Sequence, residues 1–243
     1  MMEYGKLFLI PSFLGENEPD DVLPRKTILT ACSLDCFVVE ELRTARRFLS
    51  AIGLRGRLED IEFHELNEHT PLSVIESYLY LFENGRNVGL ISEAGLPAVA
   101  DPGASLVSLA HSKGIGVVPL VGPSSLMLAL MASGMNGQSF AFCGYLPVKA
   151  DERRRRLKEI EKLSVSSGQS QIFIETPYRN DSMLSDILMC CRPSTMLSIA
   201  ADITMHSQTI CSKPVSGWAK AVSEGFRIGK RPCVFVLSAL NVF

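Results

Sequence analysis

Tryptophan occurs once in these 243 residues, and aromatic side chains make up only 7% of them. A surface of exposed rings for stacking single-stranded bases is therefore not visible in the sequence. No Cys-x-x-Cys pair occurs among the seven cysteines (32, 36, 143, 190, 191, 211 and 233), and their number is odd. Cys32 and Cys36 alone are weak grounds for a metal, and most of the seven are expected to be small buried hydrophobes in a reducing cytoplasm. The histidines at 64, 69, 111 and 206 have no partner spacing for a metal or a triad, so no metal is expected. Neither GxGxxG nor GxxxxGK[ST] is present, which argues against an ordinary dinucleotide fingerprint and a P-loop ATPase. Ser124 lies in no GxSxG elbow, so hydrolase chemistry has no support. The start, MMEYGKLFLI, lacks a basic segment and is too briefly apolar for a signal peptide.

Charge is also missing from Gly114 to Val148. A membrane span needs roughly 20 consistently apolar residues. Pro119, Gly122, Pro123, Asn136 and Gly137 interrupt this stretch, so it reads as a buried strand, turn, helix and strand, with no membrane partner.

What is present points to a globular chain. Hydrophobic residues make up 47% and charged ones 21%, and the mean hydropathy is +0.19. These values exclude disorder, collagen-like repeats and a small disulfide scaffold. They fit one large domain or two of roughly 120 residues each. The net charge of −2 excludes a uniformly basic nucleic-acid coat. It conceals a split: 10 basic and 17 acidic residues up to Val118, then 14 basic and 9 acidic from Pro119 onward.

Short apolar runs alternate with helical patterns along the chain. Strands are expected at Leu7–Ile10, Phe37–Val39, Ile61–Phe63, Val88–Ile91, Ile115–Val118, Phe140–Cys143, Ile172–Ile174, Met196–Ala200 and Val234–Leu237. Helical stripes run through Ile75, Tyr78, Leu79 and Phe82, through Met183, Leu184, Ile187 and Leu188, and through Val215, Trp218, Ala219 and Val222. The expected fold class is α/β, with mostly parallel or mixed sheets flanked by helices. The uncharged Pro119–Pro123 junction suggests two lobes, 1–118 and 119–243.

Three loops could carry chemistry. The first strand runs into Ile10-Pro11-Ser12-Phe13-Leu14-Gly15, a turn at the kind of sheet edge where open α/β folds bind ligands. Val88–Ile91 leads into Ser92-Glu93-Ala94-Gly95-Leu96-Pro97 and then Asp101-Pro102-Gly103. Ala94-Gly95 allows a ligand close to the backbone, and Glu93 can accept hydrogen bonds. Asp101 suits a helix N-cap, with Pro102 at the first helical position, and that capping role is the bland alternative for it. Val121-Gly122-Pro123-Ser124-Ser125 precedes an apolar helix and offers backbone N–H groups and hydroxyls.

In this order the loops resemble the tetrapyrrole-methylase superfamily, and within it the ribosomal RNA small-subunit methyltransferase I family. That family reads roughly VPTPIGN, AEDTR, SDAGTPxxxDPG, PGPSA and GFLPxK with a basic helix. The counterparts here are Ile10–Gly15, Val39-Glu40-Glu41-Leu42-Arg43, Ser92–Gly103, Val121–Ser125, and Gly144–Lys149 leading into Arg153–Arg156. Ile174-Glu175-Thr176-Pro177-Tyr178-Arg179 resembles the family's FYES-xHR segment. The resemblance covers nearly the whole chain. It implies a two-lobed fold, usually a homodimer, with S-adenosylmethionine in the cleft between lobes. It also implies methyl transfer to the 2′-hydroxyl of a cytidine in small-subunit ribosomal RNA. Three departures stand out: Glu93 in place of Asp, an acidic Pro11–Pro24 loop, and Ala201–His206 where the family has RELTK.

On this resemblance the donor is expected at Pro11, Gly15, Ser92, Glu93, Ala94, Gly95, Pro97, Asp101, Gly122, Pro123, Ser124 and Ser125. Glu40, which ends a strand next to Arg43, is the first candidate for a base that takes the hydroxyl proton, with Glu41 at the motif's Asp position as the second; both are alternatively carboxylates that orient Arg43. Five arginines and no acid lie between Arg43 and Arg57. The Arg153–Arg156 run spreads around most of a helix whose buried side is marked by Leu157 and Ile160. Arg43, Arg46, Arg153, Arg154 and Arg179 are the candidate RNA contacts, against the alternative of a solvated face balanced by neighbouring acids. Two other functions remain open: a methylase of a corrin or porphyrin precursor, whose GxGPGD and GGDP patterns this chain lacks, and a non-catalytic S-adenosylmethionine-binding homologue.

Overall fold

The structure, a computed structural model, describes residues 3–239. The chain divides after Ser124 into two compact units.

The first unit contains strands β1 (Lys6–Leu9), β2 (Cys36–Val39), β3 (Glu62–Glu65), β4 (Val88–Ile91) and β5 (Gly116–Pro119). All neighbours pair in parallel, in the order β3-β2-β4-β1-β5. Its helices are α1 (Pro19–Val22), α2 (Arg25–Cys32), α3 (Leu42–Leu49), α4 (Leu72–Ser77) and α5 (Ala104–Ser112). Every residue of β2 and β4 is buried, which is why both read as unbroken apolar runs. From β1 to β3 the chain moves one way along the sheet, and from β3 to β5 it moves back. Right-handed crossovers therefore place the helices of the two halves on opposite faces. The packing follows this rule. Phe37, Val39, Ile10 and Ile91 meet Ala31, Phe48 and Leu49 on one face. Cys36, Val38, Leu7 and Leu90 meet Ile75, Leu106 and Ala110 on the other.

The stripe expected through Ile75 and Phe82 is helical only in part. After Ser77 it tightens into 3-10 turns over Tyr78–Gly85. Three residues per turn bring Tyr78 and Leu81 to one side, so Leu81 is buried and Leu79 only partly so.

The second unit contains β6 (Phe140–Tyr145), β7 (Ser170–Glu175), β8 (Met196–Ala201), β9 (Thr209–Pro214) and β10 (Cys233–Ser238), in the order β6-β7-β10-β8-β9. β6 and β7 are parallel, and the other pairs are antiparallel. Its helices are α6 (Ser125–Ser133), α7 (Ala150–Ser167), α8 (Asn180–Cys190) and α9 (Val215–Ser223). Leu157, Ile160, Met183, Leu184, Ile187 and Trp218 from α7, α8 and α9 pack on Phe173, Phe235 and Leu237. α6 packs against β8, β9 and β10. The uncharged 114–148 stretch folds as β5, α6 and β6, and among the described residues no helix is long and apolar enough to cross a membrane.

Candidate functional site

Ligands of doubly wound sheets bind beyond the carboxyl ends of the strands, where neighbouring connections leave to opposite faces. In the first unit β4 lies between β2 and β1. Its connection leads to α5, and theirs lead to the face covered by α2 and α3. The loops at this edge are tied together. Ser12 donates its backbone N–H to the Gly95 carbonyl at 2.9 Å and its hydroxyl to the Ser92 carbonyl at 3.3 Å. The Glu93 N–H donates to Oε2 of Glu40 at 2.8 Å. Thr27 Oγ1 donates to the Val121 carbonyl at 2.7 Å. A Cβ on Gly122 would lie 2.3 Å from the Pro11 side chain, so only glycine lets those two loops meet. Gly95 has φ +77°, and a Cβ there would lie 3.0 Å from Leu14 and 3.7 Å from the Pro123 carbonyl.

These contacts gather Pro11, Glu40, Ser92, Glu93, Gly95, Gly122 and Pro123 at one edge. Gly15, Ala94, Pro97 and Ser124 lie on the same three loops. Ser125 opens α6 and belongs to the second unit.

The loop after β4 is strained. Ala98 at φ +64° and Ala100 at φ +63° are both left-handed, at a cost of about 1–3 kcal/mol each. Asp101 holds this conformation: its carboxylate accepts from the backbone N–H groups of Ala98 and Val99, and its Oδ1 from that of Gly103 at 2.6 Å. The N-cap expected at Asp101 is instead Gly103, and α5 begins at Ala104. The carboxylate is occupied in closing the loop before the helix starts. Asp101 Oδ2 is buried without a hydrogen-bond partner, and burial pushes the carboxyl pKa up.

The two adjacent glutamates differ. Glu41 is the N-cap of α3, accepting from Arg43 N at 3.0 Å, Thr44 N at 2.6 Å and Thr44 Oγ1 at 2.6 Å. The Thr44 hydroxyl, then the two backbone N–H groups, hold its carboxyl below the ordinary range. Glu40 is half-buried beside Glu93 and Asp101. Burial raises its pKa first, the Glu93 N–H lowers it, and the neighbouring carboxylates raise it further.

The arginines divide in the same way. Arg43 is exposed, whereas Arg46 pairs with Glu59 and lies 5.7 Å over the Phe63 ring. Arg153, expected at the surface, is only 5% exposed. It bonds Asp186 Oδ2 through Nε at 2.7 Å and the Val148 carbonyl at 2.7 Å. It stands four residues before the buried Leu157, so the helix turns both to the same side. Arg154 reaches Asp186 Oδ1 at 2.6 Å, Arg156 pairs with Glu159, and Arg155 is exposed. Arg179 donates through Nε to Glu175 Oε1 at 2.9 Å, and Glu175 Oε2 is buried without a partner. The sequence reading missed Ser12, Glu175 and Asp186. Asp186 had a signal, since it lies three residues after Met183 on an apolar helix face.

No protein-family model matches the chain. It is 32% identical over 233 residues to "Ribosomal RNA small subunit methyltransferase I" of Neisseria meningitidis serogroup B (strain ATCC BAA-335 / MC58), covering 96% of this chain and 76% of that protein. To the protein of the same name from Escherichia coli O157:H7 it is 31% identical over 219 residues, covering 89% and 72%. Among solved structures, a conserved hypothetical protein from Aeropyrum pernix K1 matches with TM-score 0.68 at 13% identity, covering 98% of this chain and 85% of that one. Uroporphyrin-III C-methyltransferase from Thermus thermophilus, complexed with S-adenosyl homocysteine, matches with TM-score 0.57 at 16% identity, covering 96% and 97%. At these identities the two structures speak to the fold, which is the one the sequence led us to expect. The curated relatives go further, and on them the chain belongs to the ribosomal RNA small subunit methyltransferase I family.

Proposed function

We propose that the protein is an S-adenosylmethionine-dependent methyltransferase acting on the 2′-hydroxyl of a cytidine ribose in small-subunit ribosomal RNA. The observation that carries this reading is the gathering of Pro11, Ser92–Gly95 and Gly122-Pro123 at the carboxyl edge of one parallel sheet, in a member of this family. The residues there fit a cationic donor. Glu93 and Asp101 supply carboxylates, and the buried Asp101 Oδ2 lacks a partner. When bound, S-adenosylmethionine supplies an electrophilic methyl group. Pro11, Gly15, Ser92 to Gly95, Pro97 and Gly122 to Ser125 line its place, and Asp101 holds the loop after β4 in its strained shape.

Transfer is an in-line displacement, so positioning the ribose oxygen is the main demand on the protein. A ribose hydroxyl gains from a group that takes its proton. Glu40 fits that role better than Glu41. Its Oε2 is anchored by the Glu93 N–H, its carboxyl is made more basic by burial, and its other oxygen is the one that takes the proton. Glu41 is occupied at the end of α3. Arg43 and Arg154 contact RNA phosphates, joined by Arg155. Arg179 does so from its Glu175 anchor, and Arg46 from beside Glu59. Arg153 stays buried and braces α7. With the division after Ser124, the first unit holds nearly all of the donor contacts and the second carries most of the phosphate contacts. The same reading makes the protein a homodimer of the cytoplasm, where the ribosome is.

Calorimetric titration tests the shared premise. Wild type binds S-adenosylmethionine and S-adenosylhomocysteine. Gly95→Ala forces a Cβ into a left-handed, crowded position and weakens both by about tenfold or more. Absence of binding to wild type would end the reading, and an unaltered affinity in Gly95→Ala would remove this loop from the donor site.

A further inference from the structure

Strands β2 and β3 pair in parallel with Cys36 opposite Glu62 and Val38 opposite His64. Residues opposite one another, and those two apart along a strand, share a face. Cys36, Glu62 and His64 therefore converge, with Sγ, a carboxylate oxygen and a ring nitrogen all within 4.8 Å of one another. The His64 Nε2 and Glu62 Oε1 atoms are 2.7 Å apart. No sequence spacing announces this set, because 26 positions separate the cysteine from the glutamate and only strand pairing joins them.

We infer that Cys36, Glu62 and His64 form a binding site for a divalent ion of the zinc class, independent of methyl transfer. One sulfur, one imidazole nitrogen and one carboxylate oxygen are donors that zinc accepts at about 2.3, 2.0–2.1 and 2.0–2.2 Å. Hard ions such as magnesium and calcium prefer all-oxygen shells. Around a tetrahedral ion with those bond lengths the donors lie about 3.3–3.7 Å apart. The His64–Glu62 contact opens by about 0.6–0.8 Å to reach that spacing, and the thiol closes in, both by side-chain rotation.

The surroundings suit the ion. Arg86 holds the other carboxylate oxygen, Oε2, through Nη1 at 2.5 Å and reaches Asp35 Oδ1 at 3.2 Å, so Glu62 is already oriented with Oε1 left for the metal. Outer partners of this kind fix metal ligands. With Cys36 as thiolate, Asp35, Glu62 and Cys36 outweigh Arg86 by two negative charges, which a divalent ion neutralises. Side-chain exposure falls from 39% at Glu62 to 17% at His64, and Cys36 is fully buried, so there is an entry path. The rings of Tyr78 and Tyr80 lie 5.4 and 6.1 Å from that of His64. On binding, the thiol proton leaves to solvent and a sulfur lone pair forms the new bond. The His64 proton resides on Nδ1 while Nε2 coordinates, and water takes the fourth position. Glu40 follows the far end of β2, so this is a clamp joining edge strand β3 to β2.

The test uses the full-length protein, stripped with a chelator and kept reduced. Cobalt(II) titration is expected to give one equivalent with a thiolate-to-cobalt charge-transfer band. The band is lost in Cys36→Ala and in His64→Ala, whose zinc affinity falls at least about 100-fold, beyond the 10–100-fold of outer-partner changes. Zinc raises the Tm of wild type and of neither variant. The inference is overturned by a wild type without the band, or by a band and zinc affinity that survive in His64→Ala, a partly exposed site whose replacement leaves the core intact. Cys36→Ala serves as the second readout.

Discussion

Burial raises the pKa of Glu40, while hydrogen bonds at the start of α3 lower that of its neighbour Glu41. The unprotonated form of a base is the active one. Methyl transfer should therefore rise with pH through an inflection above the ordinary carboxylate range. Glu40→Gln should remove that limb and lower kcat by about 10²–10⁴-fold with donor affinity retained. A full rate in Glu40→Gln would rule Glu40 out as the base. The stability signs are opposite for the two residues. Glu40 binds its proton more tightly in the folded state, so its ionisation opposes folding as pH rises, and Glu40→Gln should not destabilise. Glu41 has a depressed folded pKa. Its contribution is present above its unfolded pKa and is lost as pH falls through the folded value. Replacing this cap by Ala should cost about 1 kcal/mol in urea unfolding at neutral pH, and little in acid. Motif position put Glu40 first, at the end of a strand beside Arg43, but the physical difference from Glu41 was not legible, because it lies in burial and in which backbone N–H groups each one meets.

The α7–α8 contact is an element-scale case. Asp186 accepts from both Arg153 and Arg154, and Arg153 is inside the unit. Removing one partner of a buried pair leaves an uncompensated charge, so Asp186→Ala should destabilise the fold by about 3–5 kcal/mol in denaturant titration. Arg155→Ala, at the surface, should change stability by no more than about 0.5 kcal/mol. It should also make the salt dependence of RNA binding shallower by about one unit of slope. An unchanged slope would return Arg155 to the solvated face. At this scale most strands were legible, since β2 and β4 are apolar throughout. β9 was not: Thr209-Ile-Cys-Ser-Lys-Pro214 is a half-buried edge strand of mixed polarity, without a clear alternating pattern. The helical stripe at 75–82 was legible as apolar but not as 3-10 beyond Ser77. Arg153 was misplaced because four successive arginines look solvated, although its spacing from Leu157 already assigned it to the buried side.

At the scale of the whole molecule, the net charge of −2 is uneven, with the acidic excess before Val118 and the basic excess after it. Such a chain should bind RNA at a defined face and hold unrelated duplex DNA only weakly at physiological salt. Tight, length-independent retention of random duplexes in a filter assay would contradict that division. The α/β class and the loop order were legible across nearly the whole chain. The convergence of Cys36, Glu62 and His64 and the Glu40–Glu93 contact were not, since both depend on which strands become neighbours. The most direct measurement supplies purified protein with methyl-labelled S-adenosylmethionine and small ribosomal subunits from cells lacking the gene, then resolves the nucleosides by mass spectrometry. The account predicts label in 2′-O-methylcytidine, lost with Glu40→Gln. Ribosomal RNA left unlabelled by a protein that binds the donor, or label on a base instead of a ribose, would contradict it.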